Sequence, residues 1–154
     1  MEIGGIAGNL IAALIIFVAG LYWSKVIRPW WDERIYQGVR IDGSRWQSET
    51  VANGQKRVGL WEITQRAHRV EGKISMIEGP TKGTVYGFKG EFKNNLLSGT
   101  FFRLSKTEIG RGTVVLQLQE NGNRLEGYTV FYNPQTEKVD YSRNTLLRRD
   151  PSIV

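Results

Sequence analysis

The chain has 154 residues and a mass of 17.5 kDa, with 21 Lys and Arg residues against 15 Asp and Glu residues. This length suits one folded domain and excludes a multidomain assembly. The chain has no Cys and a single His, which excludes disulfide scaffolds, thiol nucleophiles and metal sites built from several imidazoles. Its aspartates are scattered, and no base, nucleophile and metal ligand cluster together. We therefore predict a protein without enzymatic activity, cofactor or resident metal.

The first predicted element is a transmembrane helix within residues 1–28. Residues 3–23 carry no charged side chain, and as a helix they would extend roughly 31 Å, about one hydrocarbon thickness. A cleaved signal peptide is the alternative, but no basic segment precedes the apolar run. Lys25, Arg28 and Arg34 all follow it. This asymmetry predicts a single-pass bacterial inner-membrane protein with its N-terminus outside and the remainder in the cytoplasm.

Small residues recur along one face of this helix, at Gly4, Gly8, Ala12 and Gly20. Because such spacing lets helices approach closely, we predict a homo-oligomer formed through the first three of them. The alternative, that Gly and Ala are simply common in membrane spans, stays open. Pro29 is expected to end or bend the helix, and a linker is predicted over 29–43.

The next predicted domain is a β-barrel over residues 44–149, followed by a tail at 150–154. Turn signals divide it into eight predicted strands, at 44–52, 56–66, 68–77, 83–93, 95–104, 111–120, 123–132 and 138–148. A glycine two residues after an aliphatic side chain recurs at Gly72, Gly99 and Gly127, and such glycines mark bends or close backbone approach. We predict an all-β, small eight-stranded up-and-down antiparallel barrel; a two-sheet sandwich is the alternative.

Alternation along each strand predicts which side chains face the barrel interior. It places Trp61 inward on the second predicted strand and four side chains inward on the eighth, namely Val139, Tyr141, Arg143 and Leu147. Arg103 and Arg143 fall on the predicted inward face, among apolar side chains. An unpaired buried guanidinium is costly, so it must meet a carboxylate, solvent or an anionic ligand. Asp140 would face inward only if the register of the last strand shifted by one residue. The same alternation gathers further side chains at one end of the barrel: Thr50, Met76, Tyr86, Phe131 and Tyr141.

This set of side chains predicts a nucleotide-type pocket, because guanidinium groups match phosphates and aromatic faces stack on bases. The candidate ligand-binding residues are Arg103, Arg143, Tyr141, Tyr86, Phe131 and Thr50. The alternative is a solvated rim where the two arginines extend into water. Gly110-Arg111-Gly112 fits a phosphate nest less well than a hairpin turn. Lys56-Arg57 and Arg148-Arg149 are interpreted as solvated charges or as basic residues near an anionic leaflet. No DNA or RNA polymer is expected as a partner, because no basic stripe with interleaved exposed aromatics is evident.

The organisation resembles the bacterial transmembrane β-barrel effectors associated with CD-NTases in anti-phage defence, of the CBASS and Panoptes types. The resemblance lies in the apolar span, the basic aromatic junction after it, the strand glycines and the terminal Tyr141-Ser-Arg143. It implies a barrel that senses a cyclic dinucleotide or oligonucleotide and controls oligomerisation and disruption of the inner membrane. Members commonly have two spans, whereas one is predicted here. Other interpretations are a tethered calycin-like barrel that binds an apolar ligand or lipid, and a plugged partner-docking module.

Overall fold

The computed structural model describes residues 3–52, 54–105, 110–133 and 137–149. The chain divides into two compact units, Met1–Gln37 and Gly38–Val154. The first unit is helical and the second is a β-barrel.

The helical unit consists of α1 (Ile3–Tyr22), a π-helical turn (Trp23–Ile27) and α2 (Arg28–Ile35). Pro29 stands in the first turn of α2. Because proline lacks an N–H and clashes with the carbonyl four residues earlier, the wider π turn before it lets the helix continue. The prediction of a linker over 29–43 is therefore wrong for residues 29–35, which are helical.

The helix over Gly8–Ile35 has 28 residues and is long and apolar enough to cross a membrane. Large apolar side chains are exposed along it, among them Leu14 and Phe17. Gly8 has open space around it. Gly4 and Ala12 lie in α1, but the side-chain surroundings of residues 3–7 lie outside the described part of the chain.

The second unit is a closed barrel in which each strand pairs antiparallel with its sequence neighbours and β1 pairs with β8. The strands are β1 (Arg45–Ala52), β2 (Gln55–Arg66), β3 (Arg69–Glu78), β4 (Val85–Lys93), β5 (Leu96–Arg103), β6 (Arg111–Leu118), β7 (Arg124–Asn133) and β8 (Lys138–Arg149). All eight predicted strands are present, and closure between the first and last strands excludes the sandwich. Asn94 and Asn95 connect β4 to β5 at φ 52° and 61°, the left-handed conformation that tight hairpin turns need.

The repeated glycines lie where neighbouring strands approach closely. A Cβ added at Gly72 would collide with the carbonyl oxygen of Glu62, and one at Gly127 would collide with that of Val115. At Gly99 it would meet the carbonyl of Lys89 and the backbone of Gly90. The interpretation of these glycines as sites of close backbone approach is therefore confirmed.

The apolar core fills the half of the barrel where the chain enters β1. Trp46 is fully buried there, and its indole N–H donates a hydrogen bond to the carbonyl of Ile41 at 2.8 Å. The Ile41 N–H in turn donates to Gln65 Oε1 at 2.9 Å. Residues before β1 thus cover this end of the barrel, which we call the closed end.

The predicted inward faces hold for strands β1 to β7 but are wrong for β8. Pairing of β8 with β7 places Leu146 opposite Leu125 and Ser142 opposite Thr129, so these residues face inward. The residues predicted to face inward are exposed on the outer surface instead: Val139, Tyr141, Arg143 and Leu147. Because Leu146 and Leu147 are adjacent, a leucine faces inward in both possible registers of β8, and the alternation alone does not distinguish them. The apolar-inside rule then fails because the true inner face is largely polar.

Candidate ligand-binding site

The opposite end of the barrel, which we call the mouth, is where the odd-numbered strands end and the even-numbered strands begin. An up-and-down topology brings these ends together. Their inward-facing side chains are only partly buried, so solvent reaches them. The set combines polar, aromatic and charged groups, namely Thr50, Arg57, Met76, Tyr86, Arg103, Phe131 and Asp140.

A chain of hydrogen bonds lines the interior just below the mouth. Thr50 Oγ1 donates to Asn144 Oδ1 at 3.0 Å, and Asn144 Nδ2 donates to Thr129 Oγ1 at 3.1 Å. Asn144 and Ser142 are both buried. Since buried polar groups are costly unless paired, this relay holds its side chains in defined positions. The mouth therefore opens onto a polar rather than an apolar wall.

Arg57 is the functional candidate that sequence reasoning missed. It lies opposite Thr50 in the β1–β2 register and shares the inward face of β2 with Gly59 and Trp61. Its Nε is buried and finds no hydrogen-bond partner in the described part of the chain. The same is true of the indole nitrogen of Trp61. An unpaired buried donor costs about 1–3 kcal/mol, so a ligand that offered Arg57 an acceptor would recover this cost.

The structure places Arg57 on the inner surface of the barrel, with its Nε buried and the residue as a whole only partly exposed. A signal was present in the sequence, because Arg57 is spaced by four residues from Trp61, which was correctly assigned to the interior. Residues so spaced along a strand share a face.

Arg103 and two aromatic rings form the other side of the mouth. Arg103 faces Tyr86 across β4 and β5, and its Nη2 donates to Thr84 Oγ1 at 3.5 Å. Tyr86 packs edge-on against Phe101, with ring centroids 5.7 Å apart and planes at 86°. A cleft of about 620 Å³ opens beside this rim, with Phe101, Arg103 and Phe131 at its inner edge. Most of its lining faces outward from β5–β8, including Thr100, Arg111, Thr113, Val130, Tyr132 and Val139. This cleft is large enough to admit a small organic ligand.

The Gly110-Arg111-Gly112 segment serves this packing rather than a phosphate nest. The Gly110 carbonyl accepts a hydrogen bond from the Arg103 N–H at 2.8 Å. Gly112 lies in β6, where a Cβ would collide with the Phe101 ring. Gly112 therefore makes room for the Phe101 ring, and Arg111 and Gly112 begin β6 rather than forming the predicted hairpin turn.

Four of the six predicted ligand-binding residues meet at the mouth: Thr50, Tyr86, Arg103 and Phe131. The other two lie on the outer surface, where the Tyr141 ring contacts Tyr128 at 6.2 Å between centroids. The Arg143 side chain is 71% exposed, with Nη2 3.7 Å from Glu126 Oε1. The prediction that Tyr141 and Arg143 line the interior is therefore wrong.

The mouth carries an excess of positive charge. Arg57 and Arg103 face inward, whereas Asp140 is the one carboxylate among the inward side chains described there. Asp140 faces inward because the register of β8 differs by one residue from the predicted register. An anion that carries planar rings would complement this inventory of guanidinium and aromatic groups.

No protein-family model and no curated protein matches the chain. Among solved structures, the chain is similar to a redesigned β-barrel, with a TM-score of 0.53 and 13% sequence identity. The match covers 69% of this chain and 90% of that chain. At this level of identity the similarity shows the barrel fold alone.

Proposed function

We propose that the protein is a membrane-anchored receptor whose barrel binds a cyclic dinucleotide-type ligand at the mouth. The observation that carries this proposal is the buried, unpartnered Nε of Arg57 on the same inner surface that presents Arg103. A phosphate would supply the missing acceptor and would offset the positive charge of both arginines. Tyr86, Phe101 and Phe131 supply ring faces and edges beside it for bases.

The filled core disfavours the alternative, an apolar ligand held inside the barrel. Fully buried side chains occupy the closed half, among them Trp46, Phe88, Phe92, Leu97 and Leu116. The inner wall nearer the mouth is polar, with Asn144 and Ser142 buried in it. A lipid tail inside the barrel would have to displace the buried apolar side chains of the closed half. Nearer the mouth, it would remove water from the polar atoms of Asn144 and Ser142.

The resemblance to anti-phage effectors extends the proposal to the membrane. In the extended proposal, the apolar helix over Gly8–Ile35 spans the bacterial inner membrane and the barrel lies in the cytoplasm. The ligand controls how copies of the helix assemble and disrupt the bilayer. The basic residues that follow the apolar run, beginning with Lys25 and Arg28, support this orientation. Ligand binding can shift assembly only by the difference in its affinity for the two states.

Replacing Arg57 with Met tests ligand binding directly. Titration of the purified full chain in detergent with a panel of cyclic dinucleotides should reveal a ligand by calorimetry. The Arg57→Met variant should bind that ligand at least about tenfold more weakly, since a charge-assisted contact is worth roughly 1.5–3 kcal/mol. Its thermal midpoint without ligand should be unchanged or higher, because the substitution removes an unpaired buried donor and keeps a similar stem.

Arg143→Met is the matched control, because it removes an arginine from the outer surface of the same barrel. Its affinity should stay within about twofold of the parent protein. Absence of heat with every cyclic dinucleotide would remove the sensing proposal. An equal loss of ligand affinity in Arg57→Met and Arg143→Met would show that the overall charge of the protein, rather than the mouth, determines binding.

Replacing Gly8 with Ile tests helix assembly. A bulky side chain at a small-residue position keeps facing helices apart, so overexpression of Gly8→Ile should be markedly less toxic than that of the parent chain. Leu10→Ile conserves volume on another side of the helix and should leave toxicity unchanged. Equal toxicity of Gly8→Ile and the parent chain, at equal expression, would contradict the interface.

A further inference from the structure

We infer that the outer surface of β6, β7 and β8 is a second binding surface, which contacts anionic lipid headgroups. Its centre, the tyrosine face, comprises Tyr128, Tyr132, Tyr141, Val115, Val130 and Val139. The three tyrosines are 56%, 56% and 75% exposed, and Val139 is 69% exposed. Register makes these side chains neighbours, with Val130 opposite Tyr141 and Tyr132 opposite Val139. The inference rests on the membrane anchoring included in the proposed function.

The tyrosine face differs from the outer surface on the other side of the barrel. There, β2, β3 and β4 place exposed residues of opposite charge across from one another, with Glu62 opposite Lys73 and Glu71 opposite Lys89. Such pairing is typical of a solvated sheet surface. The tyrosine face presents rings and aliphatic groups to solvent instead, and contiguous exposed apolar surface marks an interaction site.

Charge identifies the occupant of the tyrosine face. Among the outward-facing residues of β6–β8 in the described structure, Glu126 is the one acidic residue, and it forms ion pairs with Arg124 and Arg143. Four arginines face outward on the same strands: Arg111, Arg124, Arg143 and Arg149. The surface therefore carries a positive excess that complements anionic headgroups, and each basic residue near such a leaflet adds to attraction.

Residue type supports lipid over other anionic partners. Tyrosine is enriched at membrane–water interfaces because its ring is apolar and its hydroxyl is polar. The valines between the tyrosines add apolar area that can enter the headgroup boundary but cannot stack on bases. A helix that anchors the chain also keeps the bilayer at a high effective concentration near the barrel. A low affinity of the tyrosine face for lipid headgroups is then sufficient for contact.

A fluorescent probe on the full chain tests this surface, and the absence of Cys in the sequence makes an introduced thiol unique. Thr113→Cys places the probe beside Val130 and leaves every tyrosine and valine of the face in place. Thr64→Cys places the probe on the outer surface of β2 and β3, where acidic and basic residues lie opposite one another. Each labelled chain is incorporated into nanodiscs of phosphatidylcholine with or without phosphatidylglycerol, and the emission maximum is measured.

The expected result is a blue shift at position 113 in discs that contain phosphatidylglycerol, with at least half of it lost in neutral discs or high salt. Position 64 should not respond, and Tyr141→Ser should reduce the shift at position 113. Equal spectra at the two positions would overturn the inference. A blue shift that grows with protein concentration in detergent would also overturn the inference, because it indicates contact between copies of the chain. A blue shift that appears only after oligothymidylate is added would overturn it as well, because it indicates nucleic-acid binding. Failure of the chain to enter discs would instead overturn the anchoring itself.

Discussion

Gly127→Ala is expected to lower the free energy of unfolding of the barrel by roughly 1–3 kcal/mol, the range typical of overpacking a close contact. The added Cβ would collide with the carbonyl oxygen of Val115 and lie 3.0 Å from Leu116 Cα. Both atoms belong to the backbone of β6, so relief requires the strand pair to separate rather than a side chain to rotate. Thermal unfolding of the full chain in detergent, followed by circular dichroism, measures the loss.

Gly110→Ala is the control for this substitution. Its added Cβ would lie 3.4 Å from Tyr86 Cε1 and 3.5 Å from Arg103 Cβ, which are ordinary contact distances. We expect its unfolding midpoint to stay within a few degrees of the parent protein. If Gly127→Ala were as stable as Gly110→Ala, the explanation of the repeated glycines by close strand approach would be wrong.

The barrel could be predicted because its signals are local. Turn dipeptides, strand-interior glycines and period-two alternation each act within a few residues, and together they located all eight strands to within two residues. The helix end was harder to place. Pro29 was expected to end or bend the helix, yet a π turn at Trp23–Ile27 lets the helix continue to Ile35.

The candidate site was predicted only in part, because its polar lining breaks the rule that assigns faces. Alternation assumes an apolar interior, and β8 turns Ser142 and Asn144 inward while Tyr141 and Val139 face solvent. Only the pairing with β7 and β1 decides this register, and that pairing is not local in sequence. The correction moves Arg143 to the outer surface, and Arg57 becomes the second inward arginine of the mouth.

Trp46→Ala is expected to have the largest effect on stability, roughly 3–5 kcal/mol, as for other fully buried aromatic side chains. The side chain has 0% exposure, and its indole N–H holds the carbonyl of Ile41 at 2.8 Å. Arg148 also stacks over the ring, with its guanidinium carbon 5.6 Å from the centroid. Removal leaves a cavity at the closed end and an unpaired carbonyl, so the thermal midpoint should fall by roughly 15 °C or more.

Trp46→Phe separates the two contributions. The ring that remains fills much of the cavity but cannot donate to the Ile41 carbonyl, so the loss should be about half that of Trp46→Ala. Because residues before β1 cover this end through that hydrogen bond, both variants should also speed hydrogen exchange at the Ile41 amide, which donates to Gln65 Oε1. An Ile41 amide that stays as protected as in the parent protein would show that the cover is held independently of Trp46.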